Sequence, residues 1–294
     1  MFERLQFDAW EREYFLVNGE VVDEGGFPHA IRNRAFQYAD GFFETIRVVH
    51  GVPQHLDLHF GRIQDSCRAY QLETPEHWCV EWLRERLLAL CASNGILQGG
   101  RIRLTFFRDG GGRYTPDNDH LFWVGEGQPI SDNAFKLNDQ GLKVDIYPDM
   151  KKMPDHLANF KNLSSTLYVQ SALWARARQF DEALIQNTSN HIIESTRSNL
   201  FLVSNRVLYT SSLSGGPTGG VMRAAVARLA AANGFKVYEY DLSPQELLRA
   251  DEMFLTNAVR GIQWVSSYRT KRYFSSTAQQ LTSLLNDSLV QPST

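Results

Sequence analysis

The sequence has no apolar stretch approaching the ~18 residues that a membrane span needs. Its first residues, MFERLQFDAWEREYF, carry charges throughout and lack the apolar core of a signal peptide. A strong charge of either sign is also missing: 30 Lys+Arg against 33 Asp+Glu leave a net charge of -3. Coating nucleic acid or an anionic membrane requires a clear basic excess, so neither is expected as a partner. Cysteine is scarce, with Cys67, Cys79 and Cys91 odd in number and too far apart for a CxxC pair. They read as reduced, buried thiols, and the expected location is the cytoplasm. The signatures GxxxxGK[ST], GxSxG and HExxH do not occur. His55 and His59 stand four apart on an expected helix, but no third ligand is near, so no metal site is expected. There is no internal repeat and no low-complexity segment.

What is present reads as a globular α+β chain in two domains. Its 294 residues, 43% apolar and 21% charged, suffice for two buried cores. In the first domain, residues 1–125, FFETIRVV (42–49) alternates and ends in the turn His50-Gly51-Val52-Pro53. Leu56, Phe60, Ile63, Cys67 and Tyr70 recur at helical spacing over 55–72, and Trp78, Trp82, Leu83, Leu87 and Leu90 do so over 77–92. RIRLTFF (101–107) alternates strictly, which puts Arg101, Arg103 and Thr105 on the face opposite Ile102, Leu104 and Phe106. The aperiodic EGQPISDNAFK, 126–136, is expected to link this domain to a second, 137–294. There, strands are expected near 142–147, 183–187, 199–203, 235–240 and 252–256, and helices near 163–179, 221–233 and 243–250. Ser243-Pro244-Gln245-Glu246 forms a capping box with proline at the first helical position. Residues after about 288 are expected to fray.

Three pieces of this chain suit one kind of chemistry. Lysine is rare, with seven residues against 23 arginines, and Lys161 lies in the partly apolar Ala158-Asn159-Phe160-Lys161-Asn162-Leu163 just before a helix. A Schiff-base lysine needs such partial desolvation to be neutral often enough to attack a carbonyl. Glu194 ends the apolar strand HII, where a carboxylate is costly unless it meets a cation such as a pyridinium nitrogen. Gly215-Gly216-Pro217-Thr218-Gly219-Gly220 leads into a helix whose free N–H groups and dipole suit a phosphate.

Taken together, YADGFFETIR (38–47), His59-Phe60-Gly61-Arg62-Ile63, Lys161, ESTRSNLF (194–201), Gly219-Gly220-Val221-Met222-Arg223 and ADEMFLTN (250–257) resemble the class IV aminotransferases. These are the fold-type IV pyridoxal-phosphate enzymes: branched-chain aminotransferase, D-amino acid aminotransferase and aminodeoxychorismate lyase. The resemblance spans about residues 15 to 270 in consistent order. It implies a D-amino acid aminotransferase-like two-domain fold with pyridoxal 5'-phosphate between the domains. It implies that Lys161 forms the Schiff base and shuttles the proton, and that Glu194 binds the pyridine nitrogen. Arg62 would bind the phosphate, helped by the N–H groups of Val221 and Met222 and by the Asn257-Ala258 turn. A homodimer is implied, each N-terminal domain lending residues to the neighbouring site. Two positions depart from the family pattern. Thr166 stands where branched-chain enzymes carry a tyrosine five residues after the lysine, which weakens a branched-chain assignment. Asn33 replaces the usual aspartate before Arg34.

The expected partners are an amino acid and a 2-oxo acid. An α-carboxylate in a dry pocket needs a bidentate cation, and Tyr38, Arg101, Arg103, Arg108 and Arg197 are the expected substrate-binding residues. So many cations suit a substrate with more than one carboxylate, such as glutamate and 2-oxoglutarate. A lyase releasing 4-aminobenzoate and pyruvate on the same scaffold is the first rival, since the RDGGGRY segment is similar to the loop of aminodeoxychorismate lyases. A non-catalytic binding protein is the second, although such a protein needs neither Lys161 nor Glu194.

Overall fold

The computed structural model describes residues 13–23 and 33–290. Its strands fall into two sheets that follow one another along the chain. The first has the order β2-β1-β6-β5-β3-β4 and is antiparallel throughout. Its strands are β1 (Tyr14–Val17), β2 (Glu20–Asp23), β3 (Gly41–Val49), β4 (Val52–Pro53), β5 (Gly100–Arg108) and β6 (Leu121–Pro129). A short helix α1 (Arg34–Tyr38) precedes β3, while α2 (Leu56–Ala69) and α3 (Val80–Ser93) precede β5. The alternation of β5 is realised as expected: Ile102, Leu104 and Phe106 are fully buried with Ile63, Leu87 and Trp123. Each such aliphatic side chain contributes roughly 1.5–3 kcal/mol by leaving water. Arg101 and Arg103 occupy the other face, and that face borders the site described below.

The second sheet has the order β12-β11-β10-β13-β14-β7-β8-β9, with β15 beside β14. It is built from β7 (Leu142–Ile146), β8 (Glu182–Gln186), β9 (Ile192–Ser195), β10 (Asn199–Ser204), β11 (Val207–Ser211), β12 (Lys236–Tyr240), β13 (Glu252–Asn257), β14 (Gly261–Tyr268) and β15 (Lys271–Arg272). Helices α4 (Thr166–Ala177), α5 (Val221–Ala232), α6 (Pro244–Arg249) and α7 (Ser276–Asp287) pack around it. One seam between the two halves runs along β3. Phe43 N–H donates to the Lys161 carbonyl at 2.8 Å and Leu163 N–H to the Gly41 carbonyl at 3.0 Å, so the lysine segment lies along β3.

Several expectations are corrected. Residues 126–129, expected in the linker, continue β6, because β5 still offers its edge there and Gly100 pairs with Pro129. Of the tail expected to fray, residues 289 and 290 are held, Leu289 buried and Val290 N–H donating to Gln54 Oε1 at 3.0 Å, and residues 291–294 lie outside the described residues. Asn33 caps α1, its side-chain oxygen accepting from Ala35 N–H at 2.7 Å, a role an aspartate fills equally well. Strands β1, β2, β6, β11, β14 and β15 and helices α1 and α7 escaped the sequence reading, and Cys79, expected buried, is exposed while Cys67 and Cys91 are buried. The α7 N-terminus is capped from far away by Glu252, which accepts from the N–H and hydroxyl of Thr277.

Candidate active site

Between the sheets lies a cavity of about 990 Å³, at the top of the ~300–1,000 Å³ range of ligand pockets. Lys161, Arg62, Glu194, Val221, Met222, Asn257 and Ala258 all line it, as do Arg101, Arg103 and Arg197. Lys161 projects from the seam, its Nζ 4.3 Å from the centroid of the Phe43 ring. Burial, reinforced by the neighbouring Arg62 guanidinium, pushes its pKa down to about 8. A lysine so placed is neutral often enough near neutral pH to act as a nucleophile.

At one end, Arg62 on α2 is held by Glu44 on β3 through Nε–Oε1 and Nη2–Oε2 bonds of 2.7 Å each, and its Nη1 donates to the Gly219 carbonyl at 2.8 Å. Three of its five N–H groups are thus engaged, and the rest are free for an anion. Glu44 also meets His59 Nδ1 at 2.7 Å. Burial alone would raise the Glu44 pKa, but Arg62 and His59 outweigh it and hold the carboxyl down at about 2. His59 is therefore a structural residue. Helix α5 begins beside Arg62 with no side-chain cap at Gly220, so its first N–H groups are unsatisfied. A Cβ at Gly220 would lie 1.9 Å from Asn199 Oδ1, so a side chain there would force Asn199 to move. Thr256 Oγ1 is buried without a hydrogen-bond partner on the same wall.

Elsewhere in the cavity Glu194 is buried and three-fold anchored. Its Oε1 accepts from Lys152 Nζ and the Tyr168 hydroxyl, and its Oε2 from Thr218 N–H, each at 2.8 Å. These donors fix the orientation of the carboxylate and leave further lone-pair positions for a cation. An anion grip, a carbonyl-seeking amine and an oriented carboxylate fit the phosphate, aldehyde and ring nitrogen of pyridoxal 5'-phosphate.

Two expected substrate residues do not reach this cavity. Arg108 occupies the opposite face of β5 from Arg101 and Arg103. It is buried, with Nε on Asp40 at 3.1 Å, Nη1 on Asp119 and Nη2 on the Tyr70 carbonyl at 2.6 Å. Tyr38 is exposed on α1, its ring 5.8 Å from that of Tyr114. Conversely, sequence reasoning missed Lys152, Tyr168 and Arg260. Arg260 follows the Asn257-Ala258 turn and lines the cavity. Tyr168 supplies a hydroxyl two residues beyond Thr166, the position where one was sought.

Residues 41–268 match the family model described as amino-transferase class IV. The chain belongs to the class IV aminotransferases. The family includes aminotransferases and aminodeoxychorismate lyases and uses pyridoxal 5'-phosphate. It is 28% identical to the aminodeoxychorismate lyase of Vibrio harveyi over 86% of this chain and 90% of that protein. It is 26% identical to a putative branched-chain-amino-acid aminotransferase of Methanocaldococcus jannaschii over 84% of each. Among solved structures, the branched-chain aminotransferase of Thermoproteus uzoniensis shares the fold, with a TM-score of 0.84, 20% identity and coverage of 94% of this chain and 96% of that one. The fold is thus that of fold-type IV enzymes. Among the described residues no helix is long and apolar enough to cross a membrane.

Proposed function

We propose that this protein is an aminotransferase that moves an amino group between an amino acid and a 2-oxo acid, with an acidic pair such as glutamate and 2-oxoglutarate. One observation carries the reading. The cavity is lined by Arg62, Arg101, Arg103, Arg197, Arg260 and Lys161 against a single carboxylate, Glu194. With Arg62 given to the phosphate, several guanidiniums remain for substrate, more than a monocarboxylic amino acid can use. When bound between the sheets, pyridoxal 5'-phosphate supplies the electrophilic carbon and the electron-accepting ring. Lys161, its amine made partly neutral by burial, would be the residue that holds this group and moves the proton at the substrate Cα. Glu194, oriented by Lys152, would pair with the ring nitrogen. Arg62, the N–H groups of Val221 and Met222 and the Asn257-Ala258 turn would hold the cofactor phosphate. Arg197 is braced from behind by Glu182, which accepts from its Nε, and presents the rest of its guanidinium to a carboxylate.

We also propose a cytoplasmic homodimer. Phe36 (81% exposed), Tyr38 (37%) and Tyr114 (92%) leave aromatic surface uncovered at one edge of the first sheet, which a second copy would cover. Tyr38 is then a residue that this chain lends to its partner's site.

A second reading, a lyase releasing 4-aminobenzoate and pyruvate, is favoured by the 28% identity with the Vibrio harveyi enzyme. A side-by-side assay of D- and L-glutamate, leucine and aminodeoxychorismate tests both. Amino transfer from glutamate supports the first reading, and pyruvate release without amino transfer makes the lyase correct. A preference for leucine refutes the charge argument.

A further inference from the structure

Arg101 lies directly across the ladder from Arg47 and two residues along β5 from Arg103. Like charges placed opposite each other in an antiparallel pair repel. Little nearby relieves this. Arg103 has a half-exposed Glu126 at 3.8 Å, Arg47 donates to the Asp132 carbonyl and feels that residue's carboxylate while its Nε is buried unpartnered, and Arg101 has no ion pair among the described residues. Arg101 and Arg103, which line the cavity, have unmet charge that an anion there could answer.

The cavity has a clear direction at this point. Arg103 Cζ and Lys161 Nζ both lie over the Phe43 ring, at 3.9 and 4.3 Å from its centroid. Arg101 is two residues further from that ring, roughly 6.6 Å along the strand. The far end is closed by the turn before β5 and the end of β6. These approach so closely that a Cβ at Gly99 would lie 2.2 Å from the Asp132 carbonyl oxygen. Gln128 pairs with Arg101 across the ladder, and Gln98, Ser131, Leu97 and Ile130 line the same cavity.

We infer that Arg101, with Gln98, Gln128 and Ser131, forms a distal carboxylate subsite, and that the preferred amino donor is a dicarboxylic amino acid with a longer side chain than glutamate. The inference rests on the reading that the site transaminates acidic amino acids. The methylenes of such a donor lie along Leu97 and Ile130, and its end carboxylate takes the bidentate edge of Arg101. Arg103 serves donors of either length.

The test uses the holoenzyme with glutamate, 2-aminoadipate, 2-aminopimelate and 2-aminosuberate as donors and 2-oxoglutarate or pyruvate as acceptor. The expected result is a kcat/KM that rises beyond glutamate. In R101Q the preference for the best long donor over glutamate should fall roughly 10- to 100-fold, the loss of one charge-assisted contact, mostly through KM. R103Q should depress all acidic donors together. A kcat/KM that falls steadily from glutamate onward, or an R101Q loss equal for every donor, overturns the subsite while leaving glutamate transamination intact. Failure of every acidic donor, glutamate included, overturns the proposed function and the subsite with it.

Discussion

Glu44 holds Arg62 along one edge of its guanidinium, with two bonds of 2.7 Å between side chains that come from different elements of the first sheet layer. The grip matters because Arg62 has to face an anion with its other edge. Glu44 is therefore a positioning residue, and its own charge is sustained by Arg62 and His59.

Replacing Glu44 by alanine should weaken cofactor retention, and leaving Arg62 and His59 without their partner should cost about 3–5 kcal/mol of stability. The pH dependence follows from the depressed carboxyl. Its pKa is about 2 when folded against 4.5 for the unperturbed group. The stabilisation is thus complete above pH 4.5 and is lost as pH falls toward about 2. Denaturant titrations of wild type and E44Q should differ by a constant amount above that window and converge within it.

Lys161 gives the opposite sign. Burial and Arg62 lower its pKa from 10.5 to about 8, so the buried ammonium burdens the cofactor-free protein at low pH. Relative to wild type, K161M should gain stability below pH 8, and the gain should fade between about 8 and 10.5. Wild-type cofactor uptake, followed by the long-wavelength absorbance band, should accelerate with pH up to about 8 and then level off.

Arg62 and Glu194 should divide their labour. R62A should lose cofactor readily, because the phosphate grip is gone. E194A should retain cofactor better yet react far more slowly, because the ring nitrogen is no longer held protonated. Half-reaction rate and cofactor dissociation, measured on both variants, check this. Equal losses of both quantities in both variants would contradict it.

Arg108 should behave as a strut. R108L removes a buried cation that ties Asp40, Asp119 and the Tyr70 carbonyl together, so its unfolding midpoint should drop, by about 3–5 kcal/mol in stability. Its KM for amino donor, measured below that midpoint, should stay near the wild-type value, unlike that of R103Q.

The residues legible in the sequence were those whose neighbours carry the information. Lys161, Glu194 and Arg62 each sit in a motif, and the motifs follow one another in a fixed order. The β5 alternation announced which face holds Arg101 and Arg103, and the same parity places Arg108 on the opposite face. Lys152 was not legible, because Met150-Lys151-Lys152-Met153 does not say which lysine turns inward. That choice is made by pairing with a distant stretch, where Lys152 N–H donates to the Gln186 carbonyl at 2.9 Å. Helix α7 was hidden for a similar reason, its cap being supplied by Glu252 from β13. The expected linker failed at its start because strand pairing, not local periodicity, carried β6 to Pro129.

The most direct test of the central claim is a single-turnover reaction of the holoenzyme with glutamate and no acceptor, following the cofactor spectrum and 2-oxoglutarate together. Wild type should lose its long-wavelength band while releasing one 2-oxoglutarate per site, and K161A should do neither. Pyruvate formed from aminodeoxychorismate by an enzyme whose spectrum glutamate leaves unchanged would contradict amino transfer.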